Sequence, residues 1–156
     1  MDLAQEVERL RKIPMLSKVE TSKLKLLAFT SQLLHYHDGE ALFHLKDPAD
    51  SVYLVMSGEV EILTESECGT LNSIVRGEGA LIGEMAVISK TGRSATVRAK
   101  GGASVLKIED DAFLQLLSGN PEVALDVMRQ LSDKLAEAHQ ANEALQKQLR
   151  LGPTGE

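Results

Sequence analysis

The residues best equipped for chemistry lie in one stretch, 81–99, which reads LIGEMAVISKTGRSATVRA. Gly83 follows a strand-like run and permits close approach of backbone to a ligand. A short helical turn, EMAVIS, starts at Glu84 and leaves its first N–H groups without intrahelical partners, which makes its N-terminus a ready anion site. After a KTG loop, Arg93 is expected to open the next strand and to offer a planar cation that matches a phosphate fork. Glu84 is an acceptor placed for hydroxyls. Anion donors, a cation and a hydroxyl acceptor within about ten residues describe a site for a sugar phosphate, and aliphatic strands around it would supply an apolar pocket for a base.

Other reactive side chains form no comparable group. His35 and His37 share a strand face, with His44 nearby, but two imidazoles without a third ligand read as surface or turn residues and no metal site is expected. Cys68 sits in the acidic loop ESECG, where its neighbours raise rather than lower the thiol pKa. A single Cys excludes an internal disulfide and Cys-based zinc or iron–sulfur sites within one chain. There is no HExxH, no P-loop lysine motif and no recognisable nucleophile motif. No catalytic residue is assigned, and the expectation is a binding protein rather than an enzyme.

The elements that must position residues 81–99 follow from periodicity. Leu3, Val7 and Leu10 recur at helical spacing over residues 2–12, ahead of Pro14. A second helix is expected over 21–34, with Leu24, Leu27 and Ala28 on one face and lysines outside. From about 33 to 108 the pattern changes to short runs (ALFHL, SVYLVMS, EVEILTE, SATVRA, ASVLKI) separated by HDGE, KDPAD, SG, ECGT, RGEG and KGG. Such spacing predicts a β-barrel or rolled sandwich, with Gly39 and Gly58 at turns needing positive φ. In EVEILTE, Val60, Ile62 and Thr64 alternate with acidic residues, as in a strand with one wet face. Helical periodicity returns over 110–118, with Phe113, Leu116 and Leu117 inward and Gly119 as a C-terminal cap. Pro121 suits the first position of a long helix running to about Arg150.

That helix carries a second pattern. Met128, Leu131, Leu135, Ala138, Asn142, Leu145 and Leu149 follow steps of three and four, the a and d positions of a heptad. Packing on the β domain could explain the stripe as far as Ala138. Leu145 and Leu149 lie too far along to be covered by so small a domain, and a homodimer seam is expected, with Asn142 setting a two-stranded register.

The chain of 156 residues has 43% hydrophobic and 26% charged residues, 3% aromatics, no Trp and a net charge of −6. That is one globular domain with an aliphatic core and no global basic footprint for nucleic acid. No run approaches the roughly 18 apolar residues of a membrane span, and the N-terminus lacks an apolar signal core. The expected location is cytoplasmic.

At residues 82–97 the sequence resembles the cyclic-nucleotide-binding domain family. Its phosphate-binding cassette runs hydrophobic–Gly–Glu–x–Ala–hydrophobic, a short loop, then Arg–small–Ala. Here that is Ile82-Gly83-Glu84-Met85-Ala86-Val87, five residues, then Arg93-Ser94-Ala95-Thr96-Val97. Upstream, Ala49, the run Val52-Tyr53-Leu54-Val55, Gly58 and the Asp38-Gly39-Glu40 turn also fit. The likeness spans nearly the whole chain and is nearest to the sensor domain of catabolite-activator-type bacterial regulators. It implies a β-roll (a double-stranded β-helix of jelly-roll type) with N-terminal helices over 1–32, the roll over 33–109, lid and dimer helices over 110–150 and a tail over 151–156.

By the same resemblance Arg93 pairs with the cyclic phosphate and Glu84 accepts the ribose 2′-hydroxyl. Backbone N–H groups of Ala86 and Ser94 bind phosphate oxygens, Gly83 and Ala95 allow the approach, and Met85 lies within the cassette. Lys134, Ala138 and His139 fall near the base or ribose as lid contacts. Ser94 is the residue seen in cAMP-binding activators, so cAMP is favoured over cGMP, with no other cofactor implied. Two departures stand out. Gly92 replaces the Pro that often precedes the Arg, which should loosen the loop. About six residues follow Arg150, leaving no room for the activators' helix-turn-helix, so DNA binding by this chain alone is not expected. The competing reading is a ligand-free dimerisation or docking domain of the same fold.

Overall fold

The computed structural model describes residues 2–65, 69 and 71–151, with the side chains at 141, 142, 145, 150 and 151 outside the description. Cys68, residues 152–156 of the expected tail, and the side chains of Asn142 and Leu145 in the expected seam therefore lie outside the described residues. Six antiparallel strands form one sheet in the order β1-β6-β3-β4, with β2 paired to β6 and β5 to β3. The strands are β1 (Gln32–Tyr36), β2 (Ala41–Phe43), β3 (Ser51–Glu65), β4 (Leu71–Arg76), β5 (Leu81–Ile82) and β6 (Thr96–Glu109). Among the described residues five helices accompany them: α1 (Leu3–Arg11), α2 (Thr21–Thr30), α3 (Glu84–Ser89), α4 (Asp110–Gly119) and α5 (Pro121–Leu151), with a 3-10 turn at Pro14–Leu16.

The run Val52-Tyr53-Leu54-Val55 is continuously apolar because both faces of β3 are buried. Successive side chains point to opposite faces. Val52, Leu54 and Met56 join a cluster with Leu10, Leu24, Leu106, Ile108, Phe113 and Val127 beneath the helices. Tyr53 and Val55 join Phe43, Val60, Ile82, Val97 and Val105 inside the roll. Val55 and Val60 share a face although they are five positions apart, and the irregular pairing at Ser57 and Gly58 accounts for it.

Here the sequence reading needs correction. SVYLVMS and EVEILTE are one strand, and Ser-Gly between them is a bulge rather than a turn. SATVRA and ASVLKI likewise form one strand, β6. Gly58 pairs with Ala103 and Glu59 with Lys100, so Gly101 and Gly102 are passed over in the β3 pairing. Gly58 has φ +77°, and a Cβ there would stand 2.2 Å from Gly102 O. The expected wet face of EVEILTE is only partly wet, since Glu61 is half-buried against Arg98.

The second helix stops at Thr30, four residues short of expectation. Thr30 Oγ1 bonds back to Leu26 O at 2.8 Å, Ser31 is extended, and Leu33 and Leu34 pair with Leu106 and Val105. Sheet pairing overrides the helical pattern. Gly119 is the last residue of α4 rather than its cap; Asn120 follows it, and Asn120 Nδ2 donates to Leu116 O at 2.8 Å.

Helix α5 meets the body through Val123 and Val127, both buried, and through Leu131. Met128 and Leu135, expected on the same stripe as Leu131, are 56% and 72% exposed. The body therefore takes one face of α5 and leaves most of the heptad face open. Every described side chain beyond Glu137 is exposed, so α5 runs about 20 Å past its last contact among the described side chains.

Candidate functional site

Residues 83–95 form a loop-helix-loop between β5 and β6, so the 82–97 segment starts and ends in strands. Tyr53 pairs with Ile82 and ends the short β5. Gly83 turns the chain at φ +82°, which favours glycine, and α3 begins at once. At the far end Lys90 adopts φ +56° and its N–H donates to Ala86 O. The 90–95 loop is pinned despite Gly92. Arg93 N donates to Asp47 O at 2.9 Å, and Lys46 N donates to Arg93 O at 2.8 Å. The loosening expected from the missing Pro is thus offset by two backbone bonds to the 44–47 turn. Arg93 lies in this loop, ahead of β6 rather than opening it.

The Arg93 side chain is 3% exposed. Its Nη1 donates to Gly83 O at 2.8 Å and its Nη2 to Ser51 O at 2.5 Å. The guanidinium carbon stands 4.1 Å from the centre of the Phe43 ring and 5.9 Å from that of Tyr53. Burial pushes the Arg93 pKa down, while Tyr53, Asp50, Asp47 and Glu84 favour its charge. An arginine remains protonated under such a shift. Its Nε is buried with no partner among the described residues.

Glu84 is 1% exposed at the first position of α3. Its Oε1 is ion-paired to Lys134 Nζ, which reaches in from α5 and lies 3.4 Å from Leu81 O. Its Oε2 is buried without a partner among the described residues. Buried polar atoms are nearly always bonded, so these two, an acceptor and a donor in one cassette, stand out among the described residues. Met85 and Ser94 face solvent, whereas Ala86 and Ala95 are buried. Of the three lid residues, only Lys134 reaches the cassette. Ala138 and His139 lie on the exposed part of α5, where His139 pairs with Glu143 at 3.1 Å. Ala138 and His139 follow Lys134 by more than one helical turn, past the last residue that touches the body.

Sequence reasoning missed Phe43, Tyr53 and the Ser51 carbonyl. Phe43 and Tyr53 are two of only five aromatic residues in the chain, three Phe and two Tyr. Both point into the roll from strands flanking the cassette, and neither the short β2 nor the continuously apolar run of β3 carries an alternation that would have marked them. His35 Nδ1 lies 2.6 Å from Ser104 Oγ and His44 lies 3.8 Å from Asp47, while His37, expected on the strand face of His35, falls just past the end of β1.

The cyclic nucleotide-binding domain model matches residues 33–120. The chain belongs to the cyclic nucleotide-binding domain family. An uncharacterised NTE family protein of Mycobacterium tuberculosis is 30% identical over 135 residues, 86% of this chain and 23% of that protein. A cAMP-dependent protein kinase regulatory subunit of Emericella nidulans is 32% identical over 108 residues, 69% of this chain and 26% of its own length. The chain thus spans about a quarter of these relatives. Among solved structures, the catabolite activator protein of Thermus thermophilus superposes with TM-score 0.73 at 25% identity, covering 89% of this chain and 72% of that one. The fold is the antiparallel roll with flanking helices that these domains share. Among the described residues, no helix is long and apolar enough to cross a membrane.

Proposed function

We propose that this module binds a cyclic nucleotide in the 82–97 cassette, cAMP in preference to cGMP, and passes the event on through α5. It acts by binding rather than by catalysis. The observation that carries the reading is the buried opposite-charge pair of the cassette: Arg93 and Glu84 are 3% and 1% exposed, and each keeps an unbonded polar atom. Arg93 Nε and the N–H groups of the first turn of α3 suit a cyclic phosphate, and Glu84 suits a ribose hydroxyl. Ser94, exposed at the cassette, favours cAMP by the family likeness. The ligand shifts α5 only by its difference in affinity for the two positions of that helix. The exposed stripe of Met128, Leu135 and Leu149 supports self-association of α5, with Asn142 at the register position.

Thermal unfolding with cAMP and with cGMP tests the reading. Ligand at a hundred times its dissociation constant stabilises by about 2.7 kcal/mol, roughly 5–10 °C for a domain of this size. Arg93→Ala should weaken binding at least about thirtyfold, since it removes a buried cation from a phosphate. No shift with either nucleotide would favour the competing reading, a ligand-free docking domain, in which Arg93 serves Ser51, Gly83 and Phe43 alone.

A further inference from the structure

The site as it stands is closed, and α5 closes it. Lys134 Nζ covers Glu84 Oε1, and the carboxylate is 1% exposed, so no hydroxyl can reach it until the ammonium moves. Three residues along the same helix, Glu137 Oε2 accepts from Arg76 Nη2 at 3.0 Å, at the end of β4. Positions i and i+3 lie on one helix face. Lys134 therefore reaches the cassette, and Glu137 reaches the sheet edge. Among the described side chains these two are the last with which α5 touches the body, every described one beyond them being exposed.

We propose that Lys134–Glu84 and Arg76–Glu137 form a two-point ionic latch that holds α5 over the cassette, and that the Arg76–Glu137 clasp sets nucleotide affinity without touching the nucleotide. The affinity half of this inference rests on the cyclic-nucleotide reading. Ligand entry must displace Lys134, which requires the helix segment carrying it to shift. Arg76–Glu137 resists that shift and is paid back only in the closed state, so it subtracts from binding. Both of its side chains are partly exposed, at 31% and 54%, so the clasp is a modest one that salt weakens.

The test uses the whole chain carrying Glu137→Gln or Arg76→Gln, neither residue belonging to the cassette. Calorimetric titration with cAMP should show about two- to fivefold tighter binding for each variant at low salt, the scale of an exposed ion pair. The double variant should gain no more than either single one. The advantage should shrink at 0.5 M NaCl, where the clasp is screened in the wild type. A second readout needs no nucleotide. Spin labels at Asn72 and Lys147 in a Cys68→Ser background should give a broader distance distribution for Glu137→Gln than for the parent. An unchanged distribution would overturn the latch even if cAMP binds. A broadened distribution with no binding by any variant would uphold the latch and sink the nucleotide reading. Unchanged or weaker binding beside a broadened distribution would overturn the proposed control of affinity.

Discussion

Gly83→Ala probes the cassette through its backbone. Gly83 has φ +82°, and an alanine there carries the strain of a left-handed conformation, about 1–2 kcal/mol. The new Cβ would also stand 2.4 Å from Arg93 Nη1 and 3.3 Å from its guanidinium carbon. The end of an arginine can ordinarily swing aside. This one is held by Ser51 O on one side and by the Phe43 face on the other, and the bond it would lose is the one to Gly83 O. A charged hydrogen bond of that kind is worth about 1.5–3 kcal/mol. The two terms together predict a loss of about 2.5–5 kcal/mol, or roughly 5–20 °C in melting temperature. Gly39→Ala is the control, because Gly39 has φ +83° and nothing within 4 Å of the added Cβ. It should carry only the backbone term. Circular-dichroism melts of both variants without ligand give the difference directly. If Gly83→Ala melts no lower than Gly39→Ala, Arg93 is not pinned as described and its role as a fixed phosphate partner fails. If Gly83→Ala melts lower, its cAMP affinity should fall as well, since the displaced guanidinium is the proposed phosphate-binding group.

Gly58→Ala should be the most damaging glycine change, because its Cβ would meet Gly102 O at 2.2 Å and Ala103 Cα at 2.9 Å, both backbone atoms that cannot rotate away; a soluble product with a near-normal melt would refute the tight β3–β6 crossing. Leu135→Asp places a charge on a side chain that is 72% exposed in the single chain, so the fold should be unaffected while any self-association through α5 is lost, as sedimentation at rising concentration would register. Glu61 is held below the ordinary carboxylate range by the Arg98 guanidinium and then by the Ser73 hydroxyl, so its contribution is present above the ordinary carboxylate pKa and fades as pH falls through the lowered value. Glu61→Gln should therefore melt below the parent near neutral pH and converge with it in acid; a difference that persists in acid would point to packing instead.

Much of the fold was readable because its signals are local. The 3.6-residue pattern of Leu3, Val7 and Leu10, the Pro at the start of α5 and the alternation about Val60 each depend on a few neighbours. The errors fall where a distant partner decides. Residues 31–34 look helical in isolation, but Leu33 and Leu34 are claimed by β6. Ser57-Gly58 and Gly101-Gly102 resemble turns, yet they lie beside each other and serve as a paired irregularity that lets two long strands keep their apolar faces inward. Strand β4, with mostly exposed residues, offered almost no hydrophobic signal, and only the bracketing glycine-rich segments pointed to it.

The candidate site divides along the same line. Residue types and spacing can announce a cation and an acceptor ten positions apart, because a cassette is a contiguous segment. They cannot say which neighbours hold those charges, since these are Phe43, Ser51 and Lys134, which come from other elements. Of the three lid residues drawn from the family likeness, the helix geometry separates Lys134 from Ala138 and His139. Lys134 shares its face with Val127 and Leu131, which pack toward the body, whereas the other two follow after the body has ended. The same geometry gives α5 two unlike faces. One is apolar to Leu131 and then ionic at Lys134 and Glu137, against the roll. The other carries Met128 and Leu135, open to solvent. Ionic contacts at the end of an apolar seam can release without unseating Val123 and Val127. A ligand that competes for Glu84 therefore has to break only the outer, weaker part of the α5 interface to move the projecting half of the helix.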